Sequence, residues 1–307
     1  MELYTDRTPE AVKNATGLHL ITEATPNGKK VQIMLEELKD VYGLEWTTSL
    51  IDLETDEQKE DWFLHLNPNG RIPLLLDNTL TQPFPVMESS AELLYLSDNF
   101  DKDNVFGFDN KREHSEAVQW LFFWQASGQP NQGQNNHFSK SAPEKIPYAI
   151  SRFKTETLRI YNVLELRLSG HYTAIPRQYL AGAGKGKYSI ADVGTWPWVR
   201  SWKYAGFTDE EMAGFPYLLQ WIARIADRPA AKELPRTPPQ IQAISPLSSV
   251  NSNQFASLND EADQTSDSPI FQPAMSFKGK KPAEETTSAW TVSLFSLIAQ
   301  QREAMPT

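Results

Sequence analysis

A turn, a proline and a run of leucines follow one another over residues 67–76, and this order constrains the fold more than any other segment. Proline has no N–H to give to a sheet, so Pro73 at the opening of an apolar strand indicates a sheet edge or a special turn. Provided that the Ile72–Pro73 bond is cis, Ile72 can present its N–H and C=O to an extended peptide ligand. The segment therefore predicts a buried strand whose entrance faces a ligand.

A second polar signal follows this strand, where Glu88 and Ser89 begin a predicted helix. The carboxylate suits an ammonium group, and the hydroxyl with the free N–H groups of a helix start suits a carboxylate. An ordinary strand and an ordinary capped helix explain each half alone, because such caps are common. The two halves in this order favour a site for a peptide with a free α-amino acid end.

Composition narrows the class of protein. A net charge of −10 over 307 residues argues against a nucleic-acid partner, which needs a concentrated basic surface. No apolar run reaches the length of a membrane span and no signal-peptide pattern opens the sequence, so we expect a cytoplasmic protein without a membrane partner. The sequence contains no cysteine, which excludes disulfides, thiolate metal sites and a protein thiol nucleophile. Any thiol chemistry must use a thiol that the ligand brings.

Periodicity divides the chain into two folded parts between two flanking segments. Strands are predicted at 18–22, 46–50, 74–76 and near Thr81, with helices over 31–39, 56–66 and 89–100. In the first of these helices Glu36 and Glu37 are expected on the exposed face. The order βαβαββα over 18–100 is that of a thioredoxin-like domain, and the segment 1–17 precedes it as an N-terminal extension.

Strand signals nearly disappear after the predicted linker that starts at Asp101. Aromatic and leucine residues at helical spacing predict an all-helical domain over 111–235. In it, Ser189 to Asp192 forms a capping box, which we interpret as a helix start and not as a catalytic acid. Serine, asparagine and glutamine are abundant over 245–268, which predicts that residues 236–307 form a low-complexity, disordered tail. An apolar stretch at 290–300 leaves open whether part of the tail docks as a helix.

The stretch from Trp120 to Phe138 mixes aromatic residues with glycine, proline and glutamine. Aromatic residues at helical spacing usually form core, but the interruptions favour a bend that is exposed to a ligand cleft. His137 has no second histidine or carboxylate at ligand spacing, so no metal site is predicted.

Taken together, these segments resemble the fungal nitrogen-regulator-like glutathione transferases and the related bacterial nu-class enzymes. The resemblance covers about 18–235 and rests on Thr25 to Gly28, 67–73, Glu88-Ser89, 120–138, Arg152, 189–192 with Trp196-Pro197-Trp198, and 228–230. It implies an α/β thioredoxin-like N-terminal domain, an all-α C-terminal glutathione-transferase domain, and a homodimer. It implies glutathione-binding residues at Asn27, Gln58, Arg71, Ile72, Pro73, Glu88 and Ser89, and an acceptor pocket bordered by Trp120, Trp124, Gln134 and Arg152.

The resemblance also places Thr25 and Asn27 near the sulfur of glutathione. Asn27 as the N-cap of an ordinary turn is the simpler interpretation. The functional interpretation is that Thr25 and Asn27 are the catalytic pair, both donating hydrogen bonds to the thiolate, since no tyrosine, serine or cysteine occupies the turn. A helix start with such donors lowers the pKa of a thiol.

Three functions remain open. The bound thiolate attacks an electrophilic small molecule, in detoxification or in specialised-metabolite biosynthesis. Alternatively, glutathione reduces a disulfide or a peroxide without a protein cysteine, or the protein is a non-catalytic glutathione-binding regulator. The sequence departs from the family pattern in residues 1–17, in the tail, and where Gln129 runs directly into Pro130, which shortens the polar stretch by one residue.

Overall fold

Four strands form one mixed sheet in the order β2-β1-β3-β4. Strand β1 pairs with β2 in parallel and with β3 antiparallel, and β3 pairs antiparallel with β4. Every residue of β1 and β3 is buried, because helices cover both faces of the sheet. The strands are β1 at Leu18–Thr22, β2 at Trp46–Leu50, β3 at Leu74–Asp77 and β4 at Phe84–Met87.

The structure is a computed structural model, and it describes residues 3–232. The described residues all belong to one compact unit. The predictions made for residues 236–307 lie outside the described part of the chain.

The edge strand was predicted near Thr81, and this position is wrong. Asp77 Oδ1 accepts hydrogen bonds from the N–H and the hydroxyl of Thr79, so the chain turns there instead of pairing. Pairing begins at Phe84, which lies opposite Asp77.

Five helical segments belong to the sheet-containing part of the chain. Two bounds differ from the prediction: α2 begins at Pro26, and the helix expected over 56–66 is divided at Glu60. The segments are α1 at Glu10–Lys13, α2 at Pro26–Tyr42, a 3-10 turn at Glu57–Lys59, α3 at Asp61–Leu66 and α4 at Ser89–Phe100.

The segment before β1 packs on the sheet. Val12 in α1 is fully buried and joins Ile21, Trp62 and Leu76 in a core on one face of the sheet. The described part of the predicted extension therefore contributes to the hydrophobic core.

The remaining helices confirm an all-helical second part. Two π-helical turns, Trp124–Gly128 and His137–Ser141, flank α6, where the sequence predicted a bend. A Cβ at Gly128 would lie 2.2 Å from the Trp124 ring, so only glycine allows this close approach. The helices are α5 at Lys111–Phe123, α6 at Gln129–Asn136, α7 at Pro147–Leu168, α8 at Ile190–Val199, α9 at Asp209–Met212, α10 at Pro216–Ala226 and α11 at Pro229–Lys232.

Asp192 has the structural role that the sequence predicted. It is fully buried, and its Oδ2 accepts the N–H of Ser189 at 3.1 Å. Its Oδ1 accepts from Trp221 Nε1 at 2.8 Å and from the Leu180 N–H at 3.1 Å. Burial raises the pKa of Asp192 to about 6, against these stabilising hydrogen bonds.

The two parts of the chain share a continuous core that includes α2, α4, α5 and α8. Glu36 and Glu37 on α2 were expected to be exposed, and this is wrong: both are buried. Arg228 donates to both carboxylate oxygens of Glu37, at 2.5 and 2.7 Å, because the helical part covers this side of α2. This packing brings α8 against the first turn of α2, where the candidate site begins.

Candidate functional site

The turn between β1 and α2 presents Thr25 at the helix start. Thr25 is the N-cap, and its hydroxyl oxygen accepts the Gly28 N–H at 3.1 Å. The simpler interpretation placed the N-cap at Asn27; the helix instead starts at Pro26, which needs no N–H partner in its first turn. A Cβ at Gly28 would lie 2.3 Å from Thr22 Oγ1, so glycine permits the close approach of α2 to the end of β1.

Asn27 is held by a residue that the sequence analysis did not single out as functional. Trp198 Nε1 on α8 donates to Asn27 Oδ1 at 2.8 Å. This bond uses one lone pair of the amide oxygen and fixes which end of the amide is the oxygen. Among residues 3–232 nothing accepts from the two N–H groups of Asn27, which leaves them for a ligand. The segment Trp196-Pro197-Trp198 was noted in the sequence, but its distance from Asn27 along the chain hides the contact.

Positive charge lies beside this turn. Lys29 and Arg200 are close enough for the charge of Arg200 to lower the pKa of Lys29, although burial contributes more. Burial also lowers the pKa of Arg200. Together with the N-terminus of α2, these cations favour an anion at the turn.

The start of α4 has the acid-hydroxyl arrangement that the sequence predicted. Glu88 immediately precedes the helix with a φ of 73°, which a residue with a side chain rarely adopts. Its carboxylate accepts from Asn69 Nδ2 at 3.0 Å and from Gln125 Nε2 at 3.2 Å. Backbone strain of this kind persists where the surroundings enforce it, and it is concentrated at functional sites.

Ser89 is buried beside Glu88, and its hydroxyl oxygen accepts from Lys30 Nζ at 3.2 Å. Lys30 was not predicted as a site residue. Its neighbours in α2 gave no sign that a lysine here would be buried, because the contact depends on how α4 packs against α2.

The turn before β3 is held by Asn67, which is 2% exposed. Asn67 Nδ2 donates to the Arg71 carbonyl at 2.7 Å, and Lys59 Nζ donates to the Gly70 carbonyl at 2.7 Å. The Ile72–Pro73 bond is cis. The structure thus places Arg71, Ile72 and Pro73 on one supported turn, whose Asn69 reaches Glu88.

Gln58 does not present its side chain to the surface. It is 6% exposed, and its amide donates to Asp56 Oδ1 at 3.0 Å. Its backbone carbonyl lies against Gly70, where a Cβ would be 2.9 Å away. Gln58 therefore supports the turn from beneath, and its contact with glutathione stays a prediction.

The four residues predicted to border the acceptor pocket differ in exposure, and the hydrogen bonds that link the glutathione-side residues do not connect them. Trp124 is 1% exposed and belongs to the core, so its ring does not line an open surface. Trp120 is half-buried and packs under the guanidinium of Arg167. Gln134 and Arg152 are exposed, and Arg152 pairs with Glu156 at 3.5 Å. Their contact with a substrate stays a prediction.

Two kinds of feature are absent from residues 3–232. In this range no three histidine, cysteine, aspartate or glutamate side chains are grouped in a way that could hold a metal ion. No helix in the same range has both the length and the apolar character needed to cross a bilayer.

Comparison with known proteins gives one family. Residues 25–99 match the family model described as the glutathione S-transferase N-terminal domain. The chain is 38% identical over 210 residues to the disulfide-bond oxidoreductase YfcG of Escherichia coli, covering 67% of this chain and 88% of that protein.

Solved structures agree with this family. A glutathione transferase homolog from Lodderomyces elongisporus, solved with two glutathione molecules per subunit, is 34% identical with a TM-score of 0.63, covering 71% of this chain and 96% of that one. The glutathione transferase URE2P6 from Phanerochaete chrysosporium, solved with oxidized glutathione, is 33% identical with a TM-score of 0.64, covering 72% and 95%.

Proposed function

This chain belongs to the glutathione S-transferase family. We propose that it activates the glutathione thiolate for attack on an electrophilic small molecule. The γ-glutamyl end binds at Glu88 and Ser89, where a carboxylate and a helix start suit an ammonium and a carboxylate. The backbone of the turn 71–73 receives the extended part of the tripeptide. The sulfur lies at Thr25 and Asn27.

The observation that carries this proposal is the hydrogen bond from Trp198 Nε1 to Asn27 Oδ1. The bond orients the amide so that its oxygen faces Trp198 and its N–H groups are available to a ligand, and a thiolate is an acceptor. Thr25 accepts from Gly28 and keeps its hydroxyl hydrogen as a second donor.

The electrostatics of the turn favour the thiolate. A free thiol has a pKa near ~8.5, and a helix N-terminus with neighbouring cations lowers it. Lys29, Arg200 and the first turn of α2 supply this positive potential. The protein therefore contributes positioning and charge stabilisation, and no covalent intermediate with the protein is needed.

The proposed reaction needs only glutathione, the electrophile and water. The thiol proton leaves to solvent as the thiolate forms, and the sulfur electron pair makes a bond to the electrophilic carbon. A leaving group departs with its bonding pair, or the electrophile takes a proton from water after addition. The product is a thioether of glutathione.

The test compares Thr25→Val, Asn27→Ala and the double variant by ultraviolet titration of bound glutathione. Each donor to a thiolate contributes about 1.5–3 kcal/mol, so the thiol pKa should rise in each single variant and further in the double variant. Turnover should fall more than affinity. Asn99→Ala, at an exposed asparagine near the end of α4, is the matched control. A double variant that titrates like wild type would mean that the sulfur is activated elsewhere.

Reduction of disulfides is the second candidate, because the relative YfcG is named a disulfide-bond oxidoreductase. In this route a glutathione thiolate attacks the substrate disulfide, and a second glutathione attacks the mixed disulfide to release glutathione disulfide. Two glutathione molecules supply both electrons, as a chain without cysteine requires. Parallel assays with an aryl halide, hydroxyethyl disulfide and a hydroperoxide separate the two reactions. Bound glutathione with no turnover in any of them would favour a regulator.

The edge strand β4 supports a homodimer. Phe84 and Met87 on this strand are 47% and 42% exposed, and Leu80 before it is 51% exposed. Apolar side chains on an edge favour association, while Pro85 removes a donor and so disfavours strand-to-strand pairing. We place this dimer in the cytoplasm, where reduced glutathione is abundant relative to its disulfide.

A further inference from the structure

A buried pair of ionisable residues lies beneath the proposed γ-glutamyl site. Lys30 on α2 and Glu92 on α4 are both fully buried. Neither carboxylate oxygen of Glu92 has a hydrogen-bond partner within residues 3–232. Buried charges of this kind are costly to stability, and replacement by apolar residues is often neutral or stabilising. The pair therefore calls for a role beyond holding the helices together.

The Lys30 ammonium is directed at three oxygen atoms. It lies 3.2 Å from Ser89 Oγ, 2.5 Å from Gln129 Oε1 and 3.5 Å from Gln125 Oε1. An ammonium has three N–H donors and no acceptor, so Ser89 Oγ must be the acceptor in its contact. The Ser89 hydroxyl hydrogen is then left to donate to another group.

We propose that Lys30 is a positioning residue for the γ-glutamyl carboxylate of glutathione, acting through the Ser89 hydroxyl. With its oxygen engaged by the ammonium, Ser89 presents its hydrogen to the carboxylate at the start of α4. The ammonium also places a positive charge one hydrogen bond behind the carboxylate, in a region that excludes water. This inference rests on the proposed function.

Two glutamines of the helical part, Gln125 and Gln129, also contact the residues around Ser89. Gln129, which runs directly into Pro130, points its oxygen at Lys30. Gln125 accepts from Ser90 Oγ at 2.8 Å and donates to the Glu88 carboxylate. Through these contacts, two glutamines of the 120–138 stretch support the glutathione side.

Geometry and charge together give a pH dependence. Glu92 and Glu88 are the acidic groups that act on the ammonium, while the groups that reach it from the helical part are neutral amides. Burial, the largest influence, lowers the pKa of Lys30 to about 7, and the two carboxylates oppose this. Burial likewise raises the pKa of Glu92 well above its usual range.

Linkage between protonation and binding sets the direction of this pH dependence. A bound carboxylate favours the ammonium over the amine, so binding raises the pKa of Lys30. The ligand therefore binds more tightly to the protonated protein. Affinity is greatest below pH 7 and falls as the pH rises through 7.

The experiment is calorimetry with S-methylglutathione, which has no ionisable thiol, at pH 6 and pH 8. In wild type we expect the Kd to rise about tenfold between these pH values. In Lys30→Met/Glu92→Leu, which removes both buried ionisable groups at once, the Kd should be about tenfold higher at pH 6 and should change less than about twofold with pH. A double variant with the affinity and pH profile of wild type would overturn the proposal.

A cycle with Ser89→Ala tests whether Lys30 acts through the serine. Ser89→Ala should weaken binding in wild type and have little further effect in the Lys30→Met/Glu92→Leu background. Full additivity would contradict action through Ser89. Lys30→Met alone provides a second test, with thermal unfolding to verify that each variant is folded.

Glu88→Ala separates this inference from the proposed function. If Glu88→Ala leaves the Kd unchanged, the γ-glutamyl site itself is wrongly placed. If Glu88→Ala weakens binding but the Lys30 variants do not, only the role of Lys30 is wrong.

Discussion

The glutathione side and the acceptor side of the proposed site differ in how their polar groups are held. On the glutathione side, made of 25–28, 67–73 and Glu88-Ser89, both parts of the chain supply hydrogen-bond partners. On the acceptor side, predicted at Trp120, Trp124, Gln134 and Arg152, Gln134 and Arg152 are exposed and Trp124 is buried in the core. A fixed co-substrate needs a preorganised site, whereas exposed side chains leave the second substrate to be selected by fit.

Glu88→Ala should have the largest effect on glutathione affinity. An unchanged affinity would contradict the difference between the two sides. Losing a charge-assisted contact costs ~2–4 kcal/mol, which corresponds to one to several decades in glutathione affinity. Arg152→Ala, on the acceptor side, should change glutathione affinity by less than about threefold while altering kcat/KM for the acceptor. Calorimetry and steady-state kinetics measure the two quantities. Equal losses of glutathione affinity in both variants would mean that the two sides are not distinct.

Trp198→Phe tests whether the helical part contributes to the glutathione side, because it removes the indole N–H that donates to Asn27. The phenyl ring keeps much of the packing but cannot donate to Asn27, so the amide loses its fixed orientation. We expect a higher pKa for the bound thiol and a fall of about tenfold in kcat/KM, as expected from the loss of ~1–1.5 kcal/mol. Trp202→Phe, on the segment after α8, is the matched control. An equal effect of both substitutions would indicate general loss of packing.

Truncation after residue 240 should have the smallest effect. The residues removed are predicted from composition to lack the apolar density for a core, and the last described helices already close the shared core with Ala230 and Ala231. The melting temperature should change by less than about 2 °C, with unchanged glutathione affinity. A large loss of either would show that the 290–300 stretch stabilises the body.

The elements that the sequence predicted well are those specified by neighbouring residues. The strands at 18–22 and 46–50 were placed at their observed bounds, and so was the helix at 89–100. Apolar runs and helix caps act over a few residues, so local patterns suffice to identify them. The edge strand failed because the Asp77–Thr79 turn competes locally with pairing.

The candidate site was predictable where its groups lie at the ends of elements. Thr25, Asn27, Glu88 and Ser89 could be chosen because helix starts carry unpaired N–H groups. Trp198, Lys30 and Gln129 could not be assigned these roles. Each meets the site through a contact between distant segments, and nothing in its own neighbourhood distinguishes it from an ordinary core or surface residue.

Residue types and short spacings were enough to specify the order of strands and helices and the two helix starts that suit glutathione. The sequence also shows directly that the chain has no protein thiol. Only the tertiary structure decided which face of α2 is covered, so that Glu37 and Lys30 are buried and Asn27 is oriented by Trp198. The reason is physical: burial and hydrogen-bond orientation are set by how α2, α4 and α8 pack together, and side chains far apart in the chain become partners only after that packing.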